Sequence, residues 1–115
     1  MVAIILVEYM GHFRDLTKQE LKILKELINL SDFSFEIDNL QVLKLGNEGL
    51  FSLLINKKNE VYNINRCFGK QISELKLLDT DNKEIIISLY LDKQNNLYEI
   101  DFWKADYSNI LIFEN

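Results

Sequence analysis

From Gln41 onward the sequence is a succession of short strand-like runs separated only by polar turns of a few residues, and this spacing restricts the fold more than any other feature. Gln41–Leu45 and Leu50–Ile55 flank Gly46-Asn47-Glu48-Gly49, whose two glycines can take positive φ, so these runs read as a hairpin. Asn56 to Asn59 makes a second turn before Val61–Ile64, and Glu74–Leu78, Glu84–Leu91 and Leu97–Trp103 follow, joined through Asp79–Lys83 and Asp92–Asn96. Antiparallel neighbours need only short turns, whereas parallel neighbours need a crossover of about a dozen residues or more. A doubly wound parallel sheet is therefore excluded, and two antiparallel meanders are expected.

Ahead of these runs stands one helix signal. Thr17-Lys18-Gln19-Glu20 is a capping box: the Thr17 hydroxyl accepts from the Glu20 amide while the Glu20 carboxylate reaches back to Thr17. Leu21, Leu24 and Ile28, with Ile23, Leu27 and Leu30, then recur at three- and four-residue spacings, which predicts an amphipathic helix over roughly 17–30, ended by Asn29 to Asp32. The expected architecture is α+β: a mostly antiparallel sheet of two meanders with one main N-terminal helix packed on it. At 115 residues, 48% hydrophobic and 27% charged, residues 1–115 are expected to form a single domain with its own core. The apolar run Val2–Val7 lacks a basic flank and is too short for a signal peptide, so it is read as an edge strand or an ordered arm. No stretch approaches the length of a membrane span, and a single Cys suits a reducing compartment, so the expected location is the cytoplasm.

Charge placement is the first pointer to function. Residues 1–70 hold nine basic and nine acidic side chains, whereas residues 71–115 hold four lysines against nine acids, so the whole net charge of −5 resides in the last third. Such a surface repels phosphate backbones and attracts cationic partners. Nucleic-acid and membrane partners are not expected; a basic protein partner is.

Candidate chemistry is sparse. In a strand, Glu99 and Asp101 share one face with Leu97 and Trp103, their backbones roughly 7 Å apart, while Tyr98, Ile100 and Phe102 take the other. Two carboxylates so placed are either a general acid/base pair or solvated neighbours. Trp103 is either a core anchor or an exposed interface residue. Asp79-Thr80-Asp81-Asn82-Lys83-Glu84 starts like a calcium loop but has Lys83 at a ligand position and no Gly or closing Glu, so it reads as a tight polar turn. Cys67 and His12 have no orienting third residue and are read as a buried inert thiol and a surface imidazole. Gly46 and Gly49 make no phosphate loop, and Arg66, Lys70 and Lys76 are too dispersed for a nucleic-acid patch. No cofactor and no metal is expected, and no enzymatic activity.

Several segments together resemble an uncharacterised family of small bacterial domains. They are Arg66-Cys67-Phe68-Gly69-Lys70-Gln71-Ile72-Ser73-Glu74, Asp79 to Asp81, Ser88-Leu89-Tyr90-Leu91-Asp92, and the closing Leu97-Tyr98-Glu99-Ile100-Asp101-Phe102-Trp103-Lys104-Ala105-Asp106-Tyr107-Ser108. Arg14 with Thr17 to Glu20 is similar to that family's helix start. Gly46 to Ser52 departs from its glycine-rich loop, and Asn109 stands where a proline is frequent. The resemblance implies an association with small standalone bacterial proteins found beside secreted or contact-delivered toxins as immunity partners.

The expected function is therefore protein binding without chemistry: an immunity protein that occludes a basic toxin domain with Asp79, Asp81, Glu84, Asp92, Glu99, Asp101 and Asp106, burying Trp103 or Tyr107 at the centre. The alternatives are a homo-oligomer formed through an exposed strand edge supplied by Ile85–Ile87, and a carboxylate enzyme using Glu99 and Asp101.

Overall fold

The computed structural model describes residues 13–113. Its elements in chain order are β1 (Arg14–Asp15), α1 (Lys18–Asn29), β2 (Leu40–Asn47), β3 (Leu50–Lys57), β4 (Phe68–Leu78), β5 (Glu84–Asp92) and β6 (Leu97–Lys104). The six strands form one sheet of spatial order β1-β2-β3-β6-β5-β4, antiparallel at every pairing. The reading of Val2–Val7 as an edge strand or arm, like that of His12, lies outside the described residues.

The α+β expectation of two meanders beneath a main helix is corrected by this topology. The protein is mostly a single antiparallel sheet, with one helix of twelve residues. Val61–Ile64 is no strand: Asn59 takes φ 67°, and the Asn63 side chain accepts from the Asn65 amide while Arg66 N–H donates to Asn63 O. The chain turns where a strand was expected, because a short side-chain oxygen two residues back competes with the ladder for the backbone amide. With that partner missing, β3 pairs with β6, so the two groups of strands merge into one sheet. Ile85–Ile87 accordingly sits in β5 between β4 and β6, and is no free edge. β4 also begins at Phe68, well before the expected Glu74.

The capping box forms in full, with the Glu20 amide donating to Thr17 Oγ1 at 3.1 Å and the Thr17 amide donating to Glu20 Oε1 at 2.8 Å. The helix turns Ile23, Leu24, Leu27 and Ile28 into a core shared with Val42, Leu53, Ile55, Ile85, Ile87, Leu89, Leu91, Ile100 and Phe102. Because side chains alternate along a strand, this leaves Leu43, Leu54, Ser52, Ser88, Tyr90, Glu99, Asp101 and Trp103 on the opposite face. Leu97 is corrected in the same way. A register shift between Tyr90 and Leu91 moves it off the carboxylate face and into the core.

Turns explain the abundance of asparagine. Asn39, Asn59, Asn82 and Asn95 all take left-handed backbone conformations, which Asn tolerates better than most residues. At the β2–β3 turn the left-handed residues are Gly46 and Glu48. Gly49 serves a different need: a Cβ there would stand 2.3 Å from Ser108 O, so only glycine lets β3 start against the segment that follows β6.

Candidate functional site

The acids of the last third do different jobs, and four of them face inward or hold a cation of the chain. Lys104 ends β6 with its side chain wholly buried, and its ammonium donates to Asp79 Oδ2, Asp81 Oδ2 and Asn109 O, each at 2.8 Å. Asp79 also accepts the amides of Thr80, Leu111 and Ile112, again at 2.8 Å each. Burial alone would raise the Asp79 carboxyl, but the Lys104 ammonium and the three amides prevail and hold it down to about 2. Asp81 is likewise lowered, chiefly by its hydrogen bond from Lys104. The turn that begins like a calcium loop thus encloses an ammonium group from its own chain. Asp106 pairs with Lys83 and accepts from the Ser108 hydroxyl and amide, which hold its carboxyl well below the usual range.

Asp92 is also internal. It accepts from Arg66 Nε at 2.9 Å and from the amides of Gln94 and Asn96. The Arg66 guanidinium further donates to Ile55 O at 2.6 Å and to Leu97 O, and lies 5.0 Å from the Tyr98 ring centroid. One arginine, which the sequence marks as too isolated for a nucleic-acid patch and as the start of a segment carrying the family resemblance, therefore clamps the ends of β3, β5 and β6. Arg14 makes a two-pronged pair with Glu20 at 2.8 and 2.9 Å, joining β1 to the first turn of the helix. Cys67 is exposed, which corrects the expectation of a buried thiol; its sulfur donates to Asn65 O at 3.3 Å.

Two of the remaining carboxylates stand together. Glu99 and Asp101 occupy β6 on the face away from the helix and have no Lys, Arg or His partner among the described residues. The Ser52 hydroxyl, carried in from β3 directly opposite, donates to Asp101 Oδ1, while Ser88 and Tyr90 flank them from β5. Burial, then hydrogen bonding with Asp101 and its negative charge, push Glu99 up to about 7, against a smaller opposing effect of Ser52. Tyr90 is raised as well, by burial and then by the charge of Asp101. The arrangement is a half-buried pair of acids side by side in the middle of a sheet.

Beside that pair lies an apolar strip. Trp103 is 36% exposed and pairs across the sheet with Leu50, which is 55% exposed, and with the half-buried Ile86. Tyr107, 54% exposed, takes φ 59°, an unusual conformation for an aromatic residue. It is held there by backbone hydrogen bonds, its amide donating to Lys104 O and its carbonyl accepting from Gly49 N–H. Glu84 is exposed at the start of β5. Of the nine residues singled out in the sequence, the fold gathers Glu99, Asp101 and Trp103 on one face. It places Asp79 and Asp92 inside, and gives Asp81 and Asp106 to lysines. Ser52, Ser88, Tyr90 and Leu50 join the site from neighbouring strands, and only the register between strands could have nominated them.

A cavity of about 480 Å³ lies on the other side of the sheet, lined by Arg14, Lys18, Lys44, Phe51, Phe102 and Phe113 among others, so it offers the acid pair no enclosed substrate space. Among the described residues no group of three or more His, Cys, Asp or Glu side chains could hold a metal ion, and no helix is long and apolar enough to cross a membrane. Comparison with known families matches residues 13–114 to a domain of unknown function (DUF6984). No curated protein and no solved structure matches the chain.

Proposed function

This chain belongs, over residues 13–114, to the DUF6984 family of domains of unknown function, and from that premise we propose that it is a non-enzymatic protein-binding module. Its partner is a basic protein, and the specific form of the reading is a cytoplasmic immunity protein that neutralises a bacterial toxin domain by covering it. The observation that carries the reading is the juxtaposition of exposed Trp103 and Leu50 with the Glu99–Asp101 pair, which has no cation partner among the described residues.

Large aromatics at the centre of an interface supply most of its binding energy, and charges at its edge set encounter rate and specificity. Trp103 meets the first description. An arginine or lysine of the partner laid over Glu99 and Asp101 meets the second, and would offset the burial and the neighbouring negative charge that raise the Glu99 carboxyl. Tyr107 is a second exposed aromatic, beyond the end of β6. A left-handed aromatic costs of order 1–3 kcal/mol of backbone strain, and strain of that kind is retained where a side chain must be presented in one direction.

Sequence-local acids contribute less than their number implied. Asp79 and Asp92 shape the fold from within, so steering falls to Glu84, Glu99 and Asp101, with Asp81 and Asp106 partly neutralised by their lysines.

The test is co-purification of the tagged chain with the product of each adjacent gene at low and high salt. One basic protein retained at low salt, released at high salt, and lost with Trp103→Ala is the expected result. A partner retained undiminished by Trp103→Ala overturns the face assignment, and no partner under either condition overturns the binding reading.

A further inference from the structure

The two edges of the sheet are unequal. At one edge the two-residue β1 covers Gln41 and Val42 and leaves only the short remainder of β2, Leu43–Asn47, without a partner on that side, whereas at the other β4 runs for eleven residues and, among the described residues, pairs only with β5. An edge strand presents alternate N–H and C=O groups without partners, and such an edge is a template for another strand unless something disrupts it. Disruption is confined to one half of β4. The register shifts fall between Phe68 and Lys70 and between Gln71 and Ser73, while Ser73–Leu78 pair regularly with Leu89–Glu84.

The regular half carries a charge pattern that reads differently in each possible pairing. Exposed Glu74 and Lys76 flank half-buried Leu75, and the two charged side chains point to the same face, away from the helix. A parallel copy in register sets Glu74 against Glu74 and Lys76 against Lys76. An antiparallel copy centred on Glu74 or on Lys76 places that charge against itself, and one centred on Ser73 brings Lys76 against Lys70. Only the antiparallel copy centred on Leu75 sets each Glu74 opposite the other chain's Lys76, twice by symmetry. Directly opposed unlike charges stabilise a strand pair and like charges destabilise it. The same register brings Leu75 against Leu75 on the helix side, where this residue already packs against the core cluster.

We propose that β4 is a self-association edge, through which two copies of this chain pair antiparallel about a twofold axis at Leu75 to form one continuous sheet. The contact is isologous and therefore closes as a dimer without propagating into a fibre. It uses neither Trp103 nor Glu99, which lie on β6, separated from β4 by β5, so a copy on the edge and a basic partner on the face do not compete for the same residues.

Sedimentation equilibrium of the full chain tests this. The wild type is expected to be a concentration-dependent dimer. Glu74→Lys and Lys76→Glu are exposed substitutions, and each is expected to weaken the dimer about tenfold or more by placing like charges opposite one another. Circular dichroism and melting curves confirm that each remains folded. An equimolar mixture of the two variants restores Lys opposite Glu at both positions, as does the charge-swapped double variant, and both are expected to dimerise like the wild type. A wild type that stays monomeric overturns the proposal, as does a dimer indifferent to both single variants, or a mixture of the two that fails to associate.

Discussion

Lys104 Nζ and Asp79 Oδ2 lie 2.8 Å apart with both side chains shut off from solvent, joining the last residue of β6 to the turn after β4. Taking two charges out of water is costly unless each is fully hydrogen-bonded in its place. Here the requirement is met, since the ammonium has three oxygen acceptors and the carboxylate three amide donors besides the lysine. The pair thereby fastens the segment Asn109–Ile112 against the sheet.

Removal of the carboxylate leaves a buried ammonium with reduced compensation. Asp79→Ala is expected to destabilise the protein by about 3–5 kcal/mol, the range for breaking a buried ion pair from one side. Chemical denaturation measures it, and a loss below about 1 kcal/mol, the range of an exposed pair, would contradict the role assigned here.

Acid should find the same weakness. The Asp79 carboxyl is held below its ordinary 3.8, at about 2, so the folded state binds fewer protons than the unfolded state across that window. The stability it contributes is complete above the ordinary value and is lost as the pH falls toward 2. Melting temperatures across that interval should drop steeply in the wild type and less steeply in Asp79→Asn.

Glu99 has the opposite sign. Its carboxyl is raised from 4.5 to about 7, so between those values the folded state holds a proton that the unfolded state has released, and stability declines as the pH rises. Glu99→Gln is expected to flatten that decline and to be more stable than wild type at pH 8, by on the order of 1 kcal/mol after allowing for partial solvent exposure. A parallel pair of pH–stability curves would show that the Glu99 carboxyl is not raised in the folded state.

Tyr107 separates folding from binding. Asn tolerates the left-handed conformation better than an aromatic does, so Tyr107→Asn is expected to leave stability unchanged or to raise it by up to about 1 kcal/mol while weakening capture of the basic partner. Equal losses of stability and capture would make Tyr107 a structural residue only.

The helix and its packing offer a check on the core. Leu24 is fully buried among sheet residues, and Leu24→Ala should cost about 2–5 kcal/mol. Thr17→Ala removes the cap that receives the Glu20 amide and should cost about 1 kcal/mol. Urea denaturation ranks the two.

What the sequence determined by itself is whatever is decided within a few residues. Thr17 and Glu20 specify their helix start because both halves of a capping box lie three residues apart. Asn82 and Asn95 specify turns because their own side chains and backbone tolerate the left-handed conformation. Alternation told Glu99, Asp101 and Trp103 from Ile100 and Phe102, since that follows from strand geometry alone.

Only the tertiary structure decided what lies opposite each residue. Whether β3 meets Val61–Ile64 or β6 depends on a pairing nearly fifty residues away along the chain, as Ser52 opposite Asp101 shows. The fates of the acids were undetermined for the same reason. Asp79, Asp92 and Asp101 are the same side chain, and what distinguishes their charges is the cation the fold brings: Lys104 to the first, Arg66 to the second, none among the described residues to the third. A carboxylate's energy depends on charges and solvent within a few ångströms of it, and its sequence neighbours supply only some of those.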